Sequence, residues 1–250
     1  VTRLRGPDGE ETFLLRVVDY KSGMPAPDLD RMYHGLSLQL PAYLLAVLQA
    51  PLPGLPASPR AGVRLPAGLL YFPVADPLLK MDKPLAPDEA RRRRLQELRA
   101  RGWVLADRRV VEAMEASLGG TLVPARLTRD GRWDRHSRVL SLAGFTGLLG
   151  RTRAHLERLA GSILDGQIAP APYRLGRAEP CSRCPYGALC QFDPSSPHPA
   201  YRLLPRLGPA EVATRLEVAA AEAWPGWPER PARPAGSAHA PDRFGGEACP

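Results

Sequence analysis

The sequence predicts an α/β fold, a sheet with flanking helices, and three observations carry that expectation. Residues 13–23 are a short run of large and β-branched apolar residues closed by Gly23, the pattern of a buried strand. Residues 38–50 form a longer apolar stretch with helical spacing. Residues 68–77 repeat the strand pattern, and helical patterns follow at 88–101, 107–118 and 140–168. Strands alternating with helices bury both element types by layering helices on a sheet.

In chain order, residues 1–5 and the run from Thr12 read as a β-hairpin about Gly6-Pro7-Asp8-Gly9, which has turn chemistry. Asp8, Glu10 and Glu11 then sit at a solvated tip and are poor metal ligands. Alternation along the second strand places Leu15, Val17, Asp19 and Lys21 on one face. Residues 24–33 read as a loop and residues 33–50 carry a helix. Pro41 fits only in a first turn, so the helix should start near Leu38, with Gln39 and Tyr43 on one face. Residues 51–66 are Pro- and Gly-rich and read as a connection. The strand at 68–77 should end at Pro73 or just after it. Pro87-Asp88-Glu89 signals a helix start, and the basic run Arg91 to Arg94 reads as a solvated face. Residues 107–118 should be a helix ending at Gly119-Gly120. Residues 122–133 suggest a strand pair about Arg129-Asp130-Gly131. Over 140–168, Phe145, Leu148, Leu149, Leu156, Leu159 and Ile163 recur at helical spacing, while Gly144, Gly147 and Gly150 weaken the first part. Residues 202–216 suggest a short helix inside a Pro-rich tail.

The length of 250 residues suits one domain with extensions. Opening on Val1 rather than Met, the sequence reads as a piece of a longer chain. The formal charge of +8 fits a polyanionic partner, and fits an arginine-rich composition nearly as well. Four cysteines are too few and too clustered for a disulfide framework, which makes a reducing cytoplasm the expected setting. No apolar run is long enough to span a bilayer. His34, His136, His155, His198 and His239 are scattered without ligand spacing, and each reads as surface or loop. The absence of a P-loop argues against ATP hydrolysis by this region.

Two clusters carry chemistry. Asp19 and Lys21 end a core strand, where charge is costly unless paired or bound to a metal. A strand-end carboxylate can hold Mg²⁺, and a lysine beside it can offset phosphate charge. Alone, Asp-x-Lys is common and also fits a salt-bridged strand end. The second cluster is Cys181-Ser182-Arg183-Cys184-Pro185-Tyr186-Gly187-Ala188-Leu189-Cys190. Its spacing lets thiolates converge on one soft metal, and leaves zinc and [4Fe–4S] both open. Cys249 lies in the Pro/Gly/Ala-rich tail.

A strand with Asp19-x-Lys21, the Ser22-Gly23 turn and a helix bearing Gln39-x-x-x-Tyr43 resembles the RecB-type branch of the PD-(D/E)XK nucleases. The resemblance implies a restriction-endonuclease-like mixed sheet and Mg²⁺-dependent cleavage of DNA. It makes Asp19 a metal ligand with the Tyr20 backbone carbonyl, Lys21 catalytic, and Gln39 and Tyr43 contacts to DNA. A further acidic ligand in a Gly-x-Ile-Asp-like motif is missing from this sequence and is expected before Val1. Cys181, Cys184 and Cys190, with Phe192-Asp193, look like the C-terminal part of the iron–sulfur staple of such nucleases. The fourth [4Fe–4S] ligand is then expected upstream; Cys249 matches no motif position. Two groups share this arrangement, the CRISPR adaptation nucleases and the AddB family of the AddAB-type helicase–nucleases. The long interval from Tyr43 to Cys181, with residues 70–77, 101–107 and Met114, favours the second. That implies an AddA-type partner and processing of double-strand ends for recombination. The nuclease domain is expected at 1–193, with the staple segment at 178–193 and a partly disordered tail at 194–250. The rival expectations are a catalytically silent DNA clamp and a zinc-stapled protein-binding domain.

Overall fold

The computed structural model describes residues 1–5, 11–23, 26–51, 63–79, 85–195 and 200–223. The hairpin turn with Asp8 and Glu10, the connection at 52–62, His198, His239, Cys249 and the tail from 224 lie outside the described residues. Strand β1 (Thr2–Arg5) pairs antiparallel with β2 (Glu11–Lys21), as the hairpin reading requires. Strand β3 (Val63–Pro73) runs parallel to β2, β4 (Arg101–Leu105) antiparallel to β3, and β5 (Val139–Leu140) parallel to β4. The sheet is therefore mixed, in the order β1-β2-β3-β4-β5. Parallel neighbours need a crossover. Between β2 and β3 it contains α1 (Leu29–Tyr33) and α2 (Gln39–Gln49).

The core forms where α2 lies on this sheet. Leu40, Leu44 and Leu48 of α2 join Leu15 of β2 and Leu69 of β3 in one buried cluster. Leu70, Val104, Val111, Val123 and Ala125 form a second buried cluster. Pro66 opposes Leu15 and Gly68 opposes Arg16, so Ala67 is an extra residue in β3. Such a bulge accommodates a proline that cannot donate to the ladder. Buried Arg64 donates to the Leu48 and Ala50 carbonyls (3.2 and 2.7 Å), satisfying carbonyls at the end of α2.

Several expectations change. Residues 29–33 are helical rather than loop: the Asp28 side chain accepts from Asp30 N–H (3.0 Å), and Leu29 and Met32 are buried. Strand β3 starts at Val63, inside the stretch read as a connection, and ends at Pro73 as expected. Helix α3 (Pro87–Glu97) stops short of Arg101, because Gly102 and Trp103 are drawn into β4 against Leu70 and Leu69. Helix α4 is only Arg108–Glu112. Residues 122–133 hold a single bridge, Leu127 to Trp133, around the expected turn, where Gly131 has φ +72°.

Helix α5 (Leu142–Leu164) is capped by Ser141, whose hydroxyl accepts from Gly144 N–H (3.0 Å). Gly147 does not weaken this helix idly. A Cβ there would lie 1.9 Å from the Leu216 carbonyl oxygen, so glycine lets α5 and α7 (Pro209–Ala223) touch. The helix expected at 202–216 is present as α7, starting later, at Pro209; ahead of it β7 (Arg202–Leu204) pairs with β6 (Tyr173–Leu175), and Leu207, Val212 and Leu216 enter the main core. His34 is half-buried rather than superficial, its side chain only 7% exposed. Its Nε2 lies 2.9 Å from the Pro205 carbonyl and 3.2 Å from Asp30, which also pairs with Arg206 (3.4 Å). Among the described residues no helix is long and apolar enough to cross a membrane.

Candidate active site

The site forms where β2 leaves the core. Val18 and Tyr20 are exposed while Val17, Asp19 and Lys21 are half-buried, as alternation of side chains demands. Asp19 Oδ2 lies 2.7 Å from Lys21 Nζ. The same ammonium donates to Gln39 Oε1 at 3.3 Å, from the first residue of α2. Pro41 is tolerated there because a first-turn residue has no intrahelical N–H bond to lose. No side chain caps this helix start, so its partial positive charge stands beside the pair. Tyr43, exposed one turn further on, adds to the field at Lys21.

The hydrogen bond from Lys21 to Asp19 raises the lysine pKa above its ordinary value, outweighing desolvation, with Asp19, Tyr71 and Tyr43 adding field. Lys21 is therefore a cation at neutral pH, suited to neutralising charge rather than to acting as a base. Tyr71 joins this site although its stretch, residues 70–77, is legible in the sequence only as a strand and a family likeness, not as part of the site. Parallel pairing sets it opposite Asp19, nearly buried, with Lys21 Nζ 5.0 Å from its ring centre. No local pattern marks it, because only strand register brings it there.

Asp19 Oδ2 is shielded from solvent and receives no hydroxyl or amide donor among the described residues; its polar contact is the Lys21 ammonium. A hard oxygen held in this way fits Mg²⁺, which binds through one or two carboxylates and otherwise keeps water or phosphate oxygens. Among the described residues no three His, Cys, Asp or Glu side chains gather to form a fuller metal cage.

Cys181 opens a 3₁₀ turn, Cys181–Arg183, and Cys190 ends α6 (Gly187–Cys190). Glu179 accepts from the backbone N–H groups of Cys181 (2.6 Å) and Ser182 (3.1 Å), and Tyr201 stacks edge-on with Phe192 (4.8 Å). These contacts hold the segment near β7. Cys184, Tyr186, Leu189 and Cys190 are exposed, an unusual state for thiols and a leucine. The donor set suits a soft metal, though the three sulfurs are not drawn into one metal-holding group here.

A mixed sheet with an acid–lysine pair at a strand end defines a class of phosphodiester-cleaving fold, and residues 3–191 match the PD-(D/E)XK nuclease superfamily. The chain belongs to that superfamily. More particularly, it is 40% identical over 222 residues to the B subunit of an ATP-dependent helicase/deoxyribonuclease of Symbiobacterium thermophilum, covering 89% of this chain and 18% of that protein. The protein of the same description from Moorella thermoacetica is 40% identical over 196 residues, 77% of this chain and 16% of that protein. One from Desulfitobacterium hafniense is 35% identical over 236 residues, 87% of this chain and 19% of that protein. The chain thus spans less than a fifth of the length of these curated relatives.

Proposed function

We propose that this chain is the nuclease domain of an AddB-type protein. It is a Mg²⁺-dependent deoxyribonuclease of the cytoplasm, working beside an AddA-type helicase–nuclease on double-strand ends destined for homologous recombination. The observation that carries the reading is one ammonium, Lys21, shared by the Asp19 carboxylate and the Gln39 amide at the end of β2. The similarity to proteins described as helicase/deoxyribonuclease components supports the wider setting.

In this reading Asp19 and the Tyr20 backbone carbonyl hold Mg²⁺, which when bound supplies a more acidic water and neutralises phosphate charge. Lys21 orients the attacking water and offsets the negative charge that grows on the phosphate. Gln39 holds the ammonium in place, and Tyr43 meets the sugar–phosphate backbone from the same face of α2. Cys181, Cys184 and Cys190 bind a [4Fe–4S] cluster with a fourth cysteine from a segment N-terminal to Val1, closing the domain. The rival reading is a silent DNA clamp, which would have no chemical use for both Asp19 and Lys21.

One substitution separates them. In the full-length protein with its partner, Asp19→Ala should reduce Mg²⁺-dependent cutting of labelled DNA to background while binding in EDTA stays intact. Undiminished cutting would sink the assignment.

A further inference from the structure

Parallel pairing puts Tyr71 of β3 directly opposite Asp19 of β2. Side chains alternate along a strand, so Tyr71 shares the α2 face of the sheet with Asp19 and Lys21. The two cores bear this out: Leu69 and Tyr71 join the buried cluster under α2, and Leu70 between them joins the other. Phe72, next in β3, faces away from α2 and is exposed.

The Tyr71 side chain is nearly buried, and Lys21 Nζ lies 5.0 Å from its ring centre. Three groups therefore surround one ammonium: Asp19 Oδ2 at 2.7 Å, Gln39 Oε1 at 3.3 Å and the Tyr71 ring. They belong to β2, α2 and β3, so no single element sets the position of the charge. Lysine needs such restraint, because its charge sits at the end of a long flexible stem. Among the described residues the Tyr71 hydroxyl has no hydrogen-bond partner, so the ring carries the contact.

The three partners differ in kind. Asp19 is the charged one, and its carboxylate is also the oxygen ligand that suits a divalent cation. When Asp19 is engaged in that way, Lys21 loses part of its attraction and meets a like charge nearby. Gln39 and Tyr71 are neutral. An aromatic face attracts an ammonium through its quadrupole, and that attraction does not depend on the state of the carboxylate. Near-burial of the ring also keeps water from one side of the ammonium, which strengthens a cation–π contact.

We propose that Tyr71 is the positioning residue of Lys21, its ring holding the ammonium against the phosphate under attack while Asp19 is turned to the metal ion. The proposal rests on the nuclease reading and extends the working site from β2 and α2 to β3.

The test uses the full-length protein with its partner, Mg²⁺ and labelled single-stranded DNA, with wild type and Asp19→Ala as controls. Tyr71→Leu keeps an apolar residue in the core and removes the ring. It should lower kcat about tenfold with KM unchanged, the size of a partly desolvated cation–π contact. DNA affinity measured in EDTA should stay as in wild type. Tyr71→Phe keeps the ring and should restore most of the rate. Mono-, di- and trifluorophenylalanine at position 71 keep the shape and weaken the ring quadrupole step by step, so kcat should fall in the same order. That series guards against a folding defect in Tyr71→Leu, because packing hardly changes along it. Phe72→Leu, one residue on and facing the other way, should change neither kcat nor KM. A flat kcat across the fluorinated series overturns the proposal, as does a loss confined to KM or to affinity in EDTA. If wild type cuts, Asp19→Ala does not and the series is flat, the role of Tyr71 falls alone. If Asp19→Ala cuts like wild type, the nuclease assignment falls and this proposal falls with it.

Discussion

Glu115→Gln tests whether a single buried carboxylate holds the turn at 117–123. The side chain is 5% exposed and satisfies four donors: Thr121 N–H (2.8 Å) and Ser117 Oγ (2.9 Å) on one oxygen, Leu122 N–H (2.8 Å) and Val123 N–H (3.1 Å) on the other. Glutamine keeps one acceptor oxygen and turns an NH₂ toward two N–H donors. Each buried donor left unsatisfied costs about 1–3 kcal/mol. Water can reach the exposed Leu122 and not Val123, so the net loss should be about 3 kcal/mol. Burial pushes the Glu115 carboxyl up, but the three backbone donors and the Ser117 hydroxyl outweigh it and hold the carboxyl below the usual range. A lowered folded-state pKa gives stability that is complete above the unfolded value of 4.5 and is lost as pH falls through the folded value. Urea unfolding at a series of pH values measures both effects. Wild type should lose stability below about pH 4.5 more steeply than the variant. Hydrogen exchange at Thr121, Leu122 and Val123 should accelerate in the variant even at neutral pH. A loss under about 0.5 kcal/mol at pH 7, with unchanged exchange at these amides, would refute the reasoning.

Two further predictions concern the frame. Gly147→Ala places a Cβ against the Leu216 backbone, which no rotamer change relieves, so α5 and α7 must part; thermal unfolding should show a loss of about 3 kcal/mol. If Cys181, Cys184 and Cys190 hold the proposed cluster, Cys184→Ser should lower the iron content of protein purified without oxygen and speed proteolysis near residues 181–190. Full iron content in protein purified without oxygen would count against the staple.

The parts of the protein legible in the sequence are those governed by neighbours along the chain. Side-chain alternation marks the strand that ends in Asp19 and Lys21. The position of Pro41 fixes where α2 begins, and helical spacing puts Gln39 and Tyr43 on one face. The contact between Lys21 and Gln39 is not deducible that way; it depends on how the crossover returns α2 to the sheet. Other features stay hidden for the same reason. Strand β4 is five residues containing Arg101 and Gly102, with little strand pattern of its own, and exists because β3 offers it a partner. Helix α1 is short and draws its stability from an Asp28 cap and burial of Leu29 and Met32. A short helix is legible at 202–216, but not that Val212 and Leu216 of α7 find a core against α5.

By itself, then, the amino-acid order determined which residues share a face and where chemistry-bearing side chains begin a helix or end a strand. Those are one-dimensional consequences of periods of two and 3.6 residues. Tertiary structure alone decided that Tyr71 lies under Lys21 and that Glu115 gathers the turn at 117–123. Strand register and loop packing are contacts between residues far apart in the chain, and no local period encodes them.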